Sequence, residues 1–201
     1  RSAIQSALPV DAIITSDIGN NCAIGNAYPA FEKGRKYLAP GLFGPCGYGL
    51  PAIVGAKIGQ PDTPVVGFAG DGAFGIAVTE LTAIGRSEWP AITMVVFRNY
   101  QWGAEKRNST LWYDDNFVGT ALDDKVSYAG IAQACGLKGV VARTMEELTE
   151  SLNVAIKDQM QNGKTTLIEA MINQELGDPF RRDAMKKPVA VAGVAMVEPA
   201  Q

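Results

Sequence analysis

Histidine is absent from all 201 residues. Its absence excludes the Ser-His-Asp and Cys-His nucleophile systems and the usual zinc ligand sets. A catalyst built on this chain has to move protons through carboxylates, a cofactor or another chain. Cysteine is scarce. Cys22, Cys46 and Cys135 are an odd number, far apart, with no CxxC pair, and the setting expected from them is a reducing cytoplasm. No apolar stretch approaches the length of a membrane span, and the opening residues carry no signal-peptide pattern. Excess charge of either sign is also lacking. With 18 Lys and Arg against 21 Asp and Glu the net charge is −3, which leaves no basic face for nucleic acid or an anionic membrane. The chain opens at Arg1 without a methionine, from which a fragment or a processed product is expected.

What is present reads as an α/β protein. The chain is 47% apolar, enough for one large domain or two small ones with a sizeable core. Short runs rich in branched residues recur at 12–15, 36–39, 64–69, 91–97, 138–142 and 165–172, and they predict six buried parallel strands. Helical spacing fills 47–59, 75–86, 126–135 and 144–161 between them. The last is the clearest, with Thr144 as N-cap and Glu147 completing a capping box. The alternation predicts a doubly wound, six-stranded parallel sheet with helices on both faces, in which ligands bind beyond the carboxyl ends of the strands. Asp17, Gly70–Gly72 and Asn99 all fall at such ends. Residues 100–124 read as a long polar and aromatic connection, and 173–201 as a C-terminal tail beyond the last strand.

Three stretches carry chemistry. In "VVGFAGDGAFGIAVTELTAIG" (65–85) Asp71 stands between two glycines where a buried strand hands over to a helix. It is either a helix cap or a ligand for a cation. Asn99 ends another buried strand 28 positions later. Together with a backbone carbonyl near Gln101 these offer three hard oxygens on one side of an ion such as Mg²⁺, which fills its open positions with phosphate or water. In "SDIGNNCAIG" (16–25) Gly19, Asn20 and Asn21 present backbone N–H groups and two amides, suited to a phosphate and equally to a plain N-cap. In "GLFGPCGYGLPAIVGAKIG" (41–59) the helical part reads as core packing. The glycine-dense loop from Gly44 to Gly47 costs entropy unless something must come close.

GDG, then 26 residues, then Asn99 resembles the metal and diphosphate signature of thiamine-diphosphate enzymes, at the upper end of its usual spacing. "GPCGYGLPAIVGA" resembles the loop of that family which packs beneath the bent cofactor. The likeness covers residues 1–172 and is to the diphosphate-binding domain of acetolactate-synthase-like members. It implies thiamine diphosphate and Mg²⁺ as cofactors. Asp71 and Asn99 would bind the ion through side chains, and Gln101 through its carbonyl. Gly19, Asn20, Asn21, Gly70, Gly72 and Ala73 would lie against the diphosphate, and the Gly44 carbonyl would accept from the cofactor's amino group. Cys46 stands where the family has a larger apolar residue, Arg98 replaces the first Asn of the usual pair, and Tyr100 replaces a common polar residue.

The essential glutamate belongs, in that family, to a pyrimidine-binding domain of the same or a neighbouring subunit. No part of these residues resembles it, so no catalytic residue is assigned here, and the chain alone is expected to be inactive. "RNYQWGAEKRNSTLWYDDNFVGT" and "NQELGDPFRRDAMKKPVAVAG" resemble an acyltransferase branch of the family. That implies sulfoacetaldehyde and phosphate as substrates, a place in taurine degradation and a homodimer or homotetramer. Residues 1–172 are thus expected to be the diphosphate and Mg²⁺ domain. The tail 173–201 is expected to be a lid whose Arg181 and Arg182 meet the substrate anions.

Overall fold

The computed structural model describes residues 3–27, 29–31 and 36–175. All six expected strands form: β1 (Ile13–Ser16), β2 (Tyr37–Leu38), β3 (Val65–Gly70), β4 (Thr93–Arg98), β5 (Lys138–Ala142) and β6 (Thr166–Met171). They make one parallel sheet in the order β2-β1-β3-β4-β6-β5. Chain order reverses between β1 and β3, so the carboxyl ends of those two strands flank the switch point where open sheets of this kind bind ligands.

Alternation along each strand sends successive side chains to opposite faces, and each face collects its own core. Ile13, Val65, Met94, Val96 and Leu167 pack with α3 (Gly49–Gly59), α4 (Asp71–Ala77), α5 (Leu81–Ile84) and α7 (Tyr128–Ala134). Ile14, Val66, Phe68, Val95 and Ile168 pack with α8 (Met145–Asn162), and Ile4 and Leu8 from α1 (Ala3–Ala7) and its end join them. Because both faces are covered, the strands read as continuous apolar runs, the signal that betrayed them. At α8 the reciprocal box is present. Thr144 Oγ accepts from Glu147 N–H at 3.1 Å, and Glu147 Oε2 accepts from Thr144 N–H at 3.3 Å. Gly163 closes the helix in the left-handed region at φ 59°.

Several segments differ from the reading of the sequence. The expected helix over 75–86 begins at Asp71 and breaks at a 3₁₀ turn, Val78–Glu80, before α5. The connection 100–124 contains a helix, α6 (Gly103–Trp112). Its sequence GAEKRNSTLW has no apolar stripe and no buried residue, so periodicity could not reveal it. Local bonds hold its start, with Lys106 N–H donating to the Trp102 carbonyl at 2.9 Å. Another helix, α2 (Asn20–Ala27), follows β1 directly. Residues 172–175 continue past β6, while Arg181, Arg182 and the rest of the expected tail lie outside the described residues.

Candidate functional site

A cavity of about 780 Å³ opens at the switch point. Gly19, Asn20, Asn21, Gly44, Cys46, Gly70, Asp71, Gly72, Ala73, Asn99 and Gln101 all line it, so residues spread over more than eighty positions meet at one edge of the sheet. That volume falls within the range of small-ligand and cofactor pockets.

Asp71 is the first residue of α4, not its cap; Gly70 holds that place and makes no side-chain bond. The Asp71 carboxylate instead ties α4 to the turn after β4. Its Oδ2 accepts from Tyr100 N–H (2.7 Å), Asn99 N–H (3.1 Å) and Arg98 Nη1 (3.1 Å). Burial pushes the carboxyl above its usual range, against the pull of the Tyr100 N–H and the Arg98 charge. Tyr100 sits at φ 60°, a left-handed conformation that costs a non-glycine residue energy and persists only where the surroundings impose it. Its bond to Asp71 and its ring, 4.2 Å from the Arg98 guanidinium carbon, supply that imposition.

Arg98 is 1% exposed and anchors the turn from beneath. Besides Asp71 it donates to the carbonyls of Asp123 and Val126, and its Nε lies 3.6 Å from Glu169 Oε1. The other Glu169 oxygen, Oε2, accepts from Ser127 Oγ and Ala129 N–H, each at 3.0 Å. Tyr128 completes the net, its hydroxyl donating to the Asp71 carbonyl at 2.9 Å. An arginine and a glutamate inside apolar strand runs were the sequence signal for this net. In the sequence Arg98 stands out only as a departure from the family pattern, and Glu169 is not singled out.

Asp17 plays the matching part at the end of β1. It is 1% exposed and accepts from Ile18 N–H (2.9 Å), Gly47 N–H (3.1 Å) and Gly49 N–H (2.7 Å). The glycine-dense loop is explained by that carboxylate. A Cβ on Gly49 would fall 3.1 Å from Asp17 Oδ2, and Gly44 and Gly47 take φ of 61° and 85°. Burial pushes the Cys46 thiol up, as do the Asp17 and Glu105 charges. Asn21 Nδ2 donates to Ser16 Oγ and to the Asp17 carbonyl at 3.1 and 2.9 Å, fixing its amide beside Gly19 and Gly70.

The tryptophan after Gln101 was not singled out in the sequence. A Cβ on Gly72 would lie 2.8 Å from the Trp102 ring, so that glycine is what lets the indole cover the start of α4. Gln174 straps the turn after β4 from outside. Its side chain donates to the Asn99 carbonyl at 3.0 Å and its own carbonyl accepts from Gln101 Nε2 at 2.9 Å.

These residues suit a cation and a diphosphate. Among the described residues Asp71 Oδ1 accepts only from its neighbour Gly72 N–H at 3.0 Å, so a lone pair is left for a cation. Gln101 bridges Ala121 through bonds made by Tyr100 and Trp102, which turns the carbonyl of Gln101 itself away from that partner. Among the described residues no three His, Cys, Asp or Glu groups gather to hold a metal. A cation here would have one carboxylate plus amide and carbonyl oxygens within the protein, and would take its other ligands from phosphate or water. At the start of α2 the bonds begin with Cys22 N–H to the Gly19 carbonyl (3.1 Å), and the N–H groups before it have no partner within the helix, as at any helix start.

The fold is a doubly wound α/β domain with its cavity at the switch point of the sheet. The chain belongs to the family "Thiamine pyrophosphate enzyme, C-terminal TPP binding domain", whose model matches residues 17–170. It is 85% identical over 192 residues to a sulfoacetaldehyde acetyltransferase of Roseovarius nubinhibens, covering 96% of this chain and 32% of that protein. It is 28% identical over 162 residues to the acetolactate synthase large subunit of Buchnera aphidicola, covering 81% of this chain and 28% of that protein. The chain thus spans about a third of the length of the curated relatives it matches. A thiamine diphosphate-dependent 4-hydroxybenzoylformate decarboxylase of Rhodococcus jostii has the same fold, with a TM-score of 0.74 at 24% identity. The match covers 88% of this chain and 32% of that one.

Proposed function

We propose that this chain holds the diphosphate end of thiamine diphosphate, through Mg²⁺, in a sulfoacetaldehyde acetyltransferase. The carrying observation is the 85% identity to an acetyltransferase so named, against 28% to an acetolactate synthase. The cofactor, when bound, supplies the carbanion chemistry by which an acetyl unit passes from sulfoacetaldehyde to phosphate, yielding acetyl phosphate and sulfite.

The chain's own residues hold and orient. Asp71, the Asn99 side chain and the Gln101 carbonyl take the ion. Gly19, Asn20, Asn21, Gly70, Gly72 and Ala73 receive the diphosphate oxygens through N–H groups and amides. Gly44 and Cys46, on the loop pinned by Asp17, sit under the cofactor's middle, where the Gly44 carbonyl accepts from its amino group. The Asp71–Arg98–Glu169 net fixes the carboxylate in advance, so ion binding requires little rearrangement. We read residues 1–172 as this domain and the tail from 173 as a lid that excludes water, and we assign the substrate anions to Arg181 and Arg182, which lie outside the described residues. Asn173 and Glu175 already line the cavity, which supports that placement. The essential glutamate comes from a pyrimidine-binding domain of the same or a neighbouring subunit, in a cytoplasmic homodimer or homotetramer that works in taurine degradation.

The test is the full-length enzyme with sulfoacetaldehyde, phosphate, thiamine diphosphate and Mg²⁺. Acetyl phosphate and sulfite are the expected products. Acetolactate from pyruvate without sulfite release would replace this reading with a synthase. Binding of ADP but not of thiamine diphosphate would make the domain a non-catalytic nucleotide module. The isolated 201 residues are expected to show no turnover, and cofactor-dependent turnover by them would refute the role given to the second domain.

A further inference from the structure

Both co-substrates of the proposed reaction are anions, and they must enter a cavity that already faces Asp71, Glu105 and Glu175. A bound diphosphate adds negative charge beyond what one divalent ion offsets. An oxyanion approaching that field needs a fixed cation close by.

Among the described residues that line the cavity, one is cationic: Arg107. It lies on α6, one helical turn beyond Gly103 and therefore on the same face of the helix. Gly103 marks the diphosphate end of the site. A Cβ there would fall 3.1 Å from the Asn20 amide nitrogen and 3.6 Å from that of Asn99. Arg107 thus stands about 6 Å further along the helix axis, on the wall beyond the amides rather than among them. Lys106, its neighbour, does not line the cavity. Its Nζ donates to Gln101 Oε1 at 3.0 Å and lies 5.3 Å from the Phe117 ring centre. The Arg107 side chain is half-buried, and a partly desolvated planar guanidinium pairs with tetrahedral oxyanions through two parallel bonds.

We propose that Arg107 recognises the tetrahedral oxyanion of a co-substrate, either phosphate or the sulfonate of the aldehyde. This rests on reading the site as that of an acetyltransferase using phosphate. It also gives a role to a polar helix that lines the cavity.

The experiment is titration calorimetry on the full-length holoenzyme, loaded with Mg²⁺ and thiamine diphosphate. Inorganic phosphate is the probe in one arm and ethanesulfonate, an unreactive sulfonate, in the other. Arg107→Gln is expected to weaken at least one of them tenfold or more, and the arm that moves identifies the co-substrate. Arg107→Lys is expected to recover part of the loss, because it restores the charge without the fork. Cofactor affinity is expected to stay within twofold, which also shows that the variants fold. Unchanged binding of both anions by Arg107→Gln would overturn the assignment, as would a wild-type holoenzyme that binds neither. An equal loss of cofactor affinity would overturn it too, by placing Arg107 on the diphosphate. Calorimetry needs no turnover, so failure of the wild type to make acetyl phosphate would count against the proposed reaction and not against Arg107.

Discussion

Replacing Arg98 with methionine removes one side chain from several partners that cannot follow it. Asp71 Oδ2 keeps its bonds from Asn99 and Tyr100, so that carboxylate stays partly satisfied. Glu169 keeps Ser127 and Ala129 on one oxygen but loses the guanidinium beside the other. The carbonyls of Asp123 and Val126 lose the Arg98 donor outright. Breaking a buried ion pair from one side costs about 3–5 kcal/mol, because a charge is left buried without compensation. The bonds remaining to both carboxylates place the expected loss near the middle of that range, about 4 kcal/mol. For a domain of this size a kcal/mol moves the melting point by about 2–4 °C, so a fall of roughly 10 °C is expected. Thermal melts of the cofactor-free enzyme are the assay, so that weakened cofactor binding does not enter the result. Arg98→Met with Glu169→Gln should then lose less than the two single changes added together, since each removes a reason for the other's cost. A melting point within about 2 °C of wild type for Arg98→Met would refute the reasoning. It would mean that the net is solvated or that its members do not depend on one another.

Asp71→Ala or Asn99→Ala in the full enzyme is expected to abolish Mg²⁺-dependent binding of thiamine diphosphate with the fold intact, and Asp71→Asn to be milder. Unchanged affinity in cofactor titrations of both alanine variants would remove the metal assignment. Gly72→Ala is expected to displace the Trp102 indole and weaken cofactor binding, with a change in tryptophan emission as the check. Burial holds the Lys57 ammonium below its ordinary value, so the folded state releases that proton first. Stability should therefore rise with pH between the lowered folded value and the unfolded value of about 10.4. Melting points taken across that interval should lose part of their slope in Lys57→Met. Arg181→Ala or Arg182→Ala is expected to raise the KM for phosphate or sulfoacetaldehyde without changing cofactor affinity. Removing a charge-assisted hydrogen bond there costs about 1.5–3 kcal/mol, and wild-type constants would return the tail to solvent.

The sequence by itself determined the sheet. Strands covered on both faces have to be apolar throughout, so the runs at 64–69 and 91–97 announced β3 and β4 without any knowledge of their neighbours. The capping box of α8 was likewise legible, because Thr144 and Glu147 satisfy each other within one turn of chain. Asp71, Asn99 and the glycines could be picked out because their residue types and spacing are local patterns. The tertiary structure decided what those residues lean on. Only strand pairing sets Glu169 beside Val96, within reach of Arg98 on the neighbouring strand. Only the switch point brings Asp17 under Gly47 and Gly49, some thirty positions away. The helix α6 was illegible for a related reason. Without an apolar stripe its conformation is fixed by its ends, at Trp102 and around the cavity, and not by a pattern in its own residues. A local pattern can mark which atoms might meet a ligand. The long-range pairing of charges that holds those atoms still depends on which strands lie side by side, and that is decided when the two cores close over the sheet.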